Sequence, residues 1–491
     1  MSTVVRESTQ PTAPGPKPEP RHSVAFEMAP PEEMLFSLSP DGKRKFMHPV
    51  VHKGHYWQQR RVIAWALMVL FFALPLIPVG GYPSVFFDLA TRRTHLFGST
   101  FHPTENLVLF AFGFSVVVTV FFVGSTFGRV WCGFGCPQTV YMEFLYRPIE
   151  ALIEGGPMNQ RRINAQPWSA RKARIKALKW GVFTLVSFVM ATNFVAYFTS
   201  WKALIPGLLH APGQWTSAIY TIGLVGTAIL FDFGWFRDQM CTIACPYGRL
   251  QNVLSDPDTL VVAYDTQRGE PRTRARELAP GLGACVDCGA CVAACPTGVD
   301  IRRGLQVECI GTAQCVDACD EVMLKLGRPT GLIKFTSERA QKGGQSRLLR
   351  PRNLVYLALM VVAWSTFAAL IVTRADALVE VVRGGREPYR MLNSGDVANQ
   401  QRIRFTNQSE ERQQFLVEVL EPKGISLVLS ESPVVVAPEQ VLTVNAVATV
   451  PRHLFVNGQA NVKYLVTSDR GFRKEIDFLL LGPFTNTGAP R

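Results

Sequence analysis

The chain has 491 residues, of which 47% are hydrophobic, and a formal net charge of +13 from 51 Lys and Arg against 38 Asp and Glu. That length allows two or three domains. The positive charge sits beside long apolar runs and lacks the aromatic or groove-reading partners of a nucleic-acid face, so nucleic acid is excluded as a partner.

In chain order, residues 1–57 read as a disordered cytoplasmic tail, polar and marked by Pro11, Pro14, Pro16, Pro18 and Pro20. Five apolar, charge-free runs follow at 62–87, 106–128, 180–201, 203–231 and 353–373. A helix needs about 20 such residues to cross about 30 Å of hydrocarbon. The pattern therefore predicts an α-helical transmembrane bundle of about five helices, four of them in 58–254 and the fifth in 349–374.

Lys43, Arg44, Lys45, Lys53, Arg60 and Arg61 precede the first run, and Arg171, Lys172, Arg174, Lys176 and Lys179 precede the third. The connections 88–105 and 202–213 carry only Arg92, Arg93 and Lys202. Basic residues stay in the cytoplasm on insertion, which predicts a cytoplasmic N-terminus and, with five spans, a C-terminus on the far side.

All 11 cysteines fall between Cys132 and Cys319, on the cytoplasmic side by this topology. Thiols in a reducing compartment serve as ligands or redox groups more often than as disulfides. Residues 255–348 contain Cys285-x₂-Cys288-x₂-Cys291-x₃-Cys295-Pro296. That spacing wraps three thiolates around one iron–sulfur cube and turns the fourth toward a partner cube. A second half lies 24 residues on, where Cys309, Thr312, Cys315 and Cys319 take the places of Cys285, Cys288, Cys291 and Cys295. Crossed ligation assigns Cys285, Cys288, Cys291 and Cys319 to one 4Fe-4S cluster. Cys295, Cys309 and Cys315 would hold a second, with Thr312 where a fourth thiolate is expected.

The second and fourth apolar runs end alike, in Cys132-x₃-Cys136-Pro137 and Cys241-x₃-Cys245-Pro246. On one helix, residues four apart share a face, so each pair could meet one ion, and soft thiolates select Cu(I). The rival reading is that Cys packs as a small apolar side chain. Met142 and Met240 read as gap-fillers, Asp232 as an interfacial carboxylate, and His48, His52, His55, His95 and His102 as solvated residues. Beyond residue 374 apolar and polar positions alternate, with strands at 414–420, 424–429, 441–450, 459–466 and 472–481. That pattern predicts an immunoglobulin-like β-sandwich over 375–491.

These motifs, from Trp131-Cys-Gly-Phe-Gly-Cys136-Pro-Gln-Thr and Cys241-Thr-Ile-Ala-Cys245-Pro-Tyr-Gly-Arg to Cys285–Pro296 and Cys315-Val-Asp-Ala-Cys319-Asp, resemble the cytochrome c oxidase accessory proteins called CcoG or FixG. The resemblance spans roughly 45–482. It implies a bacterial inner-membrane protein with a cytoplasmic ferredoxin-like domain and a periplasmic immunoglobulin-like domain, which reduces Cu(II) to Cu(I) in support of oxidase assembly. It marks Cys132, Cys136, Cys241 and Cys245 as copper-handling, catalytic candidates. The implied partners are the lipid bilayer, a cytoplasmic electron donor, copper ion, and a copper transporter or oxidase subunits. Two alternatives stand beside it: a quinol-linked membrane ferredoxin, which shares the paired Cys-x₃-Cys-Pro, and a non-enzymatic assembly scaffold.

Overall fold

The computed structural model describes residues 46–102, 105–274, 281–304, 306–345, 350–385, 387–409, 411–438 and 440–484. The predicted disordered tail lies, up to residue 45, outside them. Five long helices are labelled here: α1 His55–Ala73, α2 Asn106–Phe127, α3 Ala170–Thr199, α4 Thr216–Phe231 with its π-turn to Phe236, and α5 Pro351–Val372.

Among the described residues, four of these, α2 to α5, are long and apolar enough to cross a membrane. Their outward side chains are apolar, as with Phe110, Leu224 and Val362, which suits lipid and not water. Of the about five helices expected, these four meet that length and apolarity, and α1 does not by itself. Of α1, only 62–73 is free of charge, about 18 Å of helix at 1.5 Å per residue and short of a bilayer. The rest of its apolar run turns at Pro75 and from Pro78 enters small sheets, one of them formed by Val85–Asp88, Arg93–Leu96 and Ser99–Phe101. His95 is buried there, bonded to Thr100 at 2.9 Å and stacked on Tyr82. The run 203–231 is also two pieces, because Pro212 separates Trp201–His210 from α4, while Ser200 (φ 59°) parts that helix from α3.

The chain divides into two compact units. The first comprises the described start of the chain to Leu70, Phe121–Met190 and Gly223–Leu354, and it holds every cysteine. Its core joins the antiparallel pair Val261–Tyr264 and Ile333–Thr336 to helix Gln314–Lys325 through Val262, Val316, Met323 and Leu332. Asp317 on that helix caps α1, accepting the backbone N–H groups of Tyr56 (3.1 Å) and Trp57 (2.8 Å). A carboxylate at a helix N-terminus satisfies free donors and complements the dipole. Gly54 leaves room for it, since a Cβ there would overlap the carboxylate.

The second unit contains the β-sandwich. One sheet runs Ser426–Leu429, Val441–Val450, Val397–Asn407, Ala377–Arg383, and the other Val434–Val436, Gln413–Glu421, Gln459–Ser468, Arg473–Leu481. Phe405, Phe415, Val450 and Tyr464 fill the space between them. The strand Val397–Asn407 escaped prediction because polar residues face inward along it. They find partners inside: Gln401 donates to the Tyr464 hydroxyl at 2.7 Å, and Asn399 exchanges bonds of 3.0 Å with the Leu481 backbone.

Candidate functional site

The two halves of the cysteine-rich segment share a backbone as well as a spacing. Asp287 (φ 50°) and Gly289 (φ 72°) recur 24 residues later as Gly311 (φ 67°) and Ala313 (φ 56°). Helices Ala290–Ala294 and Gln314–Lys325 begin at the same offset. Left-handed residues fold each loop back on its cysteines, and Asp287 and Ala313 take that conformation despite a Cβ.

Two small cavities result. Cys285, Cys288, Cys291 and Cys319 line the first, with Arg302 and Tyr264. Cys295, Cys309 and Cys315 line the second, with Thr312 and Thr297. Among the described residues no three His, Cys, Asp or Glu side chains gather tightly enough to hold one ion. Sulfurs that ring a cavity without meeting at a point suit a polynuclear cluster better than a single metal. The first cavity presents four thiols and so fits a four-iron cluster; the second presents three and the Thr312 hydroxyl. Burial pushes the Cys291 thiol up to about 11 and Cys319 up to about 12, and raises Cys295, Cys309 and Cys315 as well. Thiols so raised ionise when a cationic centre binds them. Arg302, ion-paired to Asp300 at 2.8 Å and to Asp287, places a fixed cation beside the first cavity and pulls the Cys291 thiol back down.

The two Cys-x₃-Cys-Pro segments are not single helices. Cys132 lies in Val130–Phe134, whereas Cys136 is extended and opens the next helix, Pro137–Tyr141. Cys241 lies in the π-turn Met240–Ala244, and extended Cys245 opens Pro246–Leu254. Proline ends each first piece because it cannot supply the next backbone donor, and it starts the second at a position where none is needed. The second sulfur of each pair is thereby set at a helix start, where the N–H groups of Gln138 and Thr139 pull the Cys136 thiol down against burial.

All four thiols lie within electrostatic reach of one another. Burial first, then Cys136, pushes Cys132 up to about 12, and burial followed by Cys136 also raises Cys241. Gln138 ties the segments together, donating to Asp232 and to the Arg237 carbonyl at 3.2 Å each. Met142 is buried in the core, and Met240 is partly exposed.

Several connectors in this region carried no sequence signal beyond an arginine at the end of an apolar run. Arg129 donates to the Cys309 carbonyl at 2.7 Å, to the Gly248 carbonyl at 3.0 Å and to the Val307 carbonyl, joining both Cys-x₃-Cys-Pro segments to the second cavity. Gln314, next to Cys315, donates to Glu143 at 3.0 Å. Buried Arg60 donates to the Gly133 carbonyl at 2.8 Å. Gly133 in turn lies directly on the backbone of Ile310 and Gly311, leaving no room for a Cβ. Gly133→Ala is expected to cost about 1–3 kcal/mol by overpacking. Thermal unfolding and iron retention should both fall, while Gly156→Ala, where a Cβ meets open space, should match the parent.

Three family models match the chain: a 4Fe-4S binding domain over 108–157, a 4Fe-4S dicluster domain over 236–338, and the IG-like fold at the C-terminal of FixG over 367–483. Protein RdxA of Cereibacter sphaeroides is 35% identical over 345 residues, covering 68% of this chain and 73% of RdxA. Protein RdxB of the same organism is 34% identical over 390 residues, covering 76% of this chain and 79% of RdxB. Nitrogen fixation protein FixG of Rhizobium meliloti is 37% identical over 313 residues, covering 60% of this chain and 58% of FixG.

Proposed function

Because the chain belongs to the FixG family of membrane-embedded iron–sulfur electron-transfer proteins, we propose that it is a cupric reductase that turns Cu(II) into Cu(I) for cytochrome oxidase assembly. The observation that carries this reading is the electrostatic proximity of the thiols of Cys132, Cys136, Cys241 and Cys245, no three of which converge on one point among the described residues, beside the second cysteine cavity to which Arg129 and Gly133 tie them. Cys285, Cys288, Cys291 and Cys319 would hold one iron–sulfur cluster and Cys295, Cys309 and Cys315 a second, and when bound these groups would supply single electrons.

The chain's own part is to bind and orient the substrate. Thiolates at Cys132, Cys136, Cys241 and Cys245 stabilise Cu(I) over Cu(II), which makes the ion easier to reduce and retains the product. One electron converts one Cu(II) to Cu(I), and the protons released when the thiols bind metal leave to solvent. A cytoplasmic donor provides the electrons, and a copper transporter or oxidase subunit receives Cu(I). The protein resides in the bacterial inner membrane with its N-terminus in the cytoplasm and the sandwich in the periplasm. With four long spans, this placement requires the chain around α1 to cross as well. A reporter active only in the cytoplasm, fused after Arg491, should be silent; activity there would overturn the placement.

The test of function is anaerobic. Protein reduced with dithionite and freed of excess reductant should convert added Cu(II) to Cu(I), detected with a Cu(I)-specific chelating dye, at no more than one ion per electron stored. Reoxidation by a quinone analogue but not by Cu(II) would overturn this reading in favour of the quinol-linked conduit.

A further inference from the structure

A groove of about 1670 Å³ opens where the N-terminal turns of α3, the end of α4 and helix Pro157–Ala165 meet, all within the first unit. Its lining includes Arg161, Lys172, Lys176, Lys179 and Arg237, and three of these are unusually buried: Lys172 is 9% exposed, Lys179 7% and Arg237 3%. Buried charge is costly unless paired. Arg237 donates twice to Glu150 at 3.0 Å, Lys179 is shared between Glu150 (3.1 Å) and Glu154 (2.9 Å), and Lys176 meets Glu154 at 2.8 Å. The pairing holds Glu150 down at about 2, chiefly through Arg237 against the pull of burial.

Those two carboxylates serve three cations; Glu154 Oε2 is buried without a hydrogen-bond partner among the described residues, and neither carboxylate pairs with Lys172 or Arg161. Lys172 reaches the carbonyls of Asn164 (3.1 Å) and Gln166 (2.6 Å) and lies over the Trp168 ring at 5.3 Å, and Arg161 donates to the His48 carbonyl at 3.4 Å. Among the described residues neither has a carboxylate partner. A bias for membrane insertion needs basic residues near the helix ends, but it needs neither their burial around a cavity nor this shortage of carboxylates. The groove is therefore poised for an anion.

The surroundings choose the anion. Trp168, Trp180 and Trp235 line the same groove with 75%, 40% and 46% of their surface exposed. Lys179 and Trp180 lie on α3 and Trp235 on α4, two helices long enough to span a membrane. A soluble phosphate would use the cations and leave the indoles in water. An anionic phospholipid uses both, because its phosphate meets the cations while its acyl chains cover the rings.

We propose that this groove is a binding site for an anionic phospholipid, with the headgroup phosphate between Arg161 and Lys172 and the acyl chains along Trp180 and Trp235. The bound lipid would clasp the end of α4, five residues ahead of Cys241, to the start of α3.

Native mass spectrometry of the full-length protein, released from nanodiscs of phosphatidylcholine with and without phosphatidylglycerol, tests this. The parent should retain one phosphatidylglycerol in preference to phosphatidylcholine, and the R161Q/K172Q variant should lose about thirtyfold of that preference at unchanged iron content. Inorganic phosphate should not displace the lipid. Equal retention of the two lipids by the parent, undiminished preference in the variant, displacement by inorganic phosphate, or a quinone held instead of a phospholipid would each overturn the proposal. Should the double substitution cost the protein its iron, the single variant W168A and the parent's own lipid preference decide.

Discussion

Replacing Cys288 by Ala is expected to remove about four iron atoms per chain and one of the reduced-state EPR signals, leaving the rest of the protein folded. The choice of residue matters. Cys285, Cys291 and Cys319 are buried in the apolar core with Val316, Met323 and Leu332, so truncating them would also open a hole in the packing. Cys288 is exposed, yet it lines the first cavity with the other three. Its loss removes a ligand at little structural cost. Iron analysis with low-temperature EPR on anaerobically purified protein reads the outcome, and unchanged iron and spectra would sink the assignment of that cavity. Thr312 gives the complementary experiment. It stands in the second cavity where a thiol would complete a set of four, so Thr312→Cys should leave the first signal alone and change only the second.

Much of this was legible because periodicity and spacing report on local physics. The ferredoxin segment announces itself through cysteines three apart, and its internal duplication survives in the φ angles at 287, 289, 311 and 313. The sandwich was readable wherever apolar and polar residues alternate. It was hidden at Val397–Asn407, where Asn399, Gln401 and Asn407 point inward and donate to distant partners that no local pattern names. Hydropathy alone overran the first helix, since it scores Leu74–Phe87 as apolar but does not see the chain turning at Pro75 and entering a short strand at Pro78. It missed the start of the third, whose basic first three turns are helical because Lys176 and Lys179 pair with Glu150 and Glu154. The Cys-x₃-Cys geometry was misread for a related reason. A spacing of four suggests one helical face, but the Pro after each second Cys ends the helix and moves that sulfur to the start of the next. Arg129 was invisible as a connector because its three carbonyl partners lie more than a hundred residues away.

Cys136→Ala and Cys245→Ala are each expected to weaken copper binding by at least about tenfold and to slow cupric reduction, with cluster EPR unchanged. The two residues are equivalent in the paired segments, each an extended cysteine opening a helix that starts with proline. Neither lines the two cluster cavities, so cluster assembly should not notice their loss. The pH dependence separates ligation from packing. Burial holds the Cys132 thiol up at about 12 and raises Cys136 and Cys241, so these groups are protonated at neutral pH. Every thiol that binds copper as thiolate must then release a proton, and affinity should rise by about tenfold per pH unit for each proton released. Removing one ligand should lower that slope by one proton along with the affinity itself, whereas a merely structural cysteine would leave the slope as it was. Copper titration of the parent and both variants across pH 6 to 8, with cluster EPR as the control for folding, measures both quantities. If both variants bind and reduce copper like the parent, with the same slope, the four thiols are not the copper site and the quinol-linked reading takes its place.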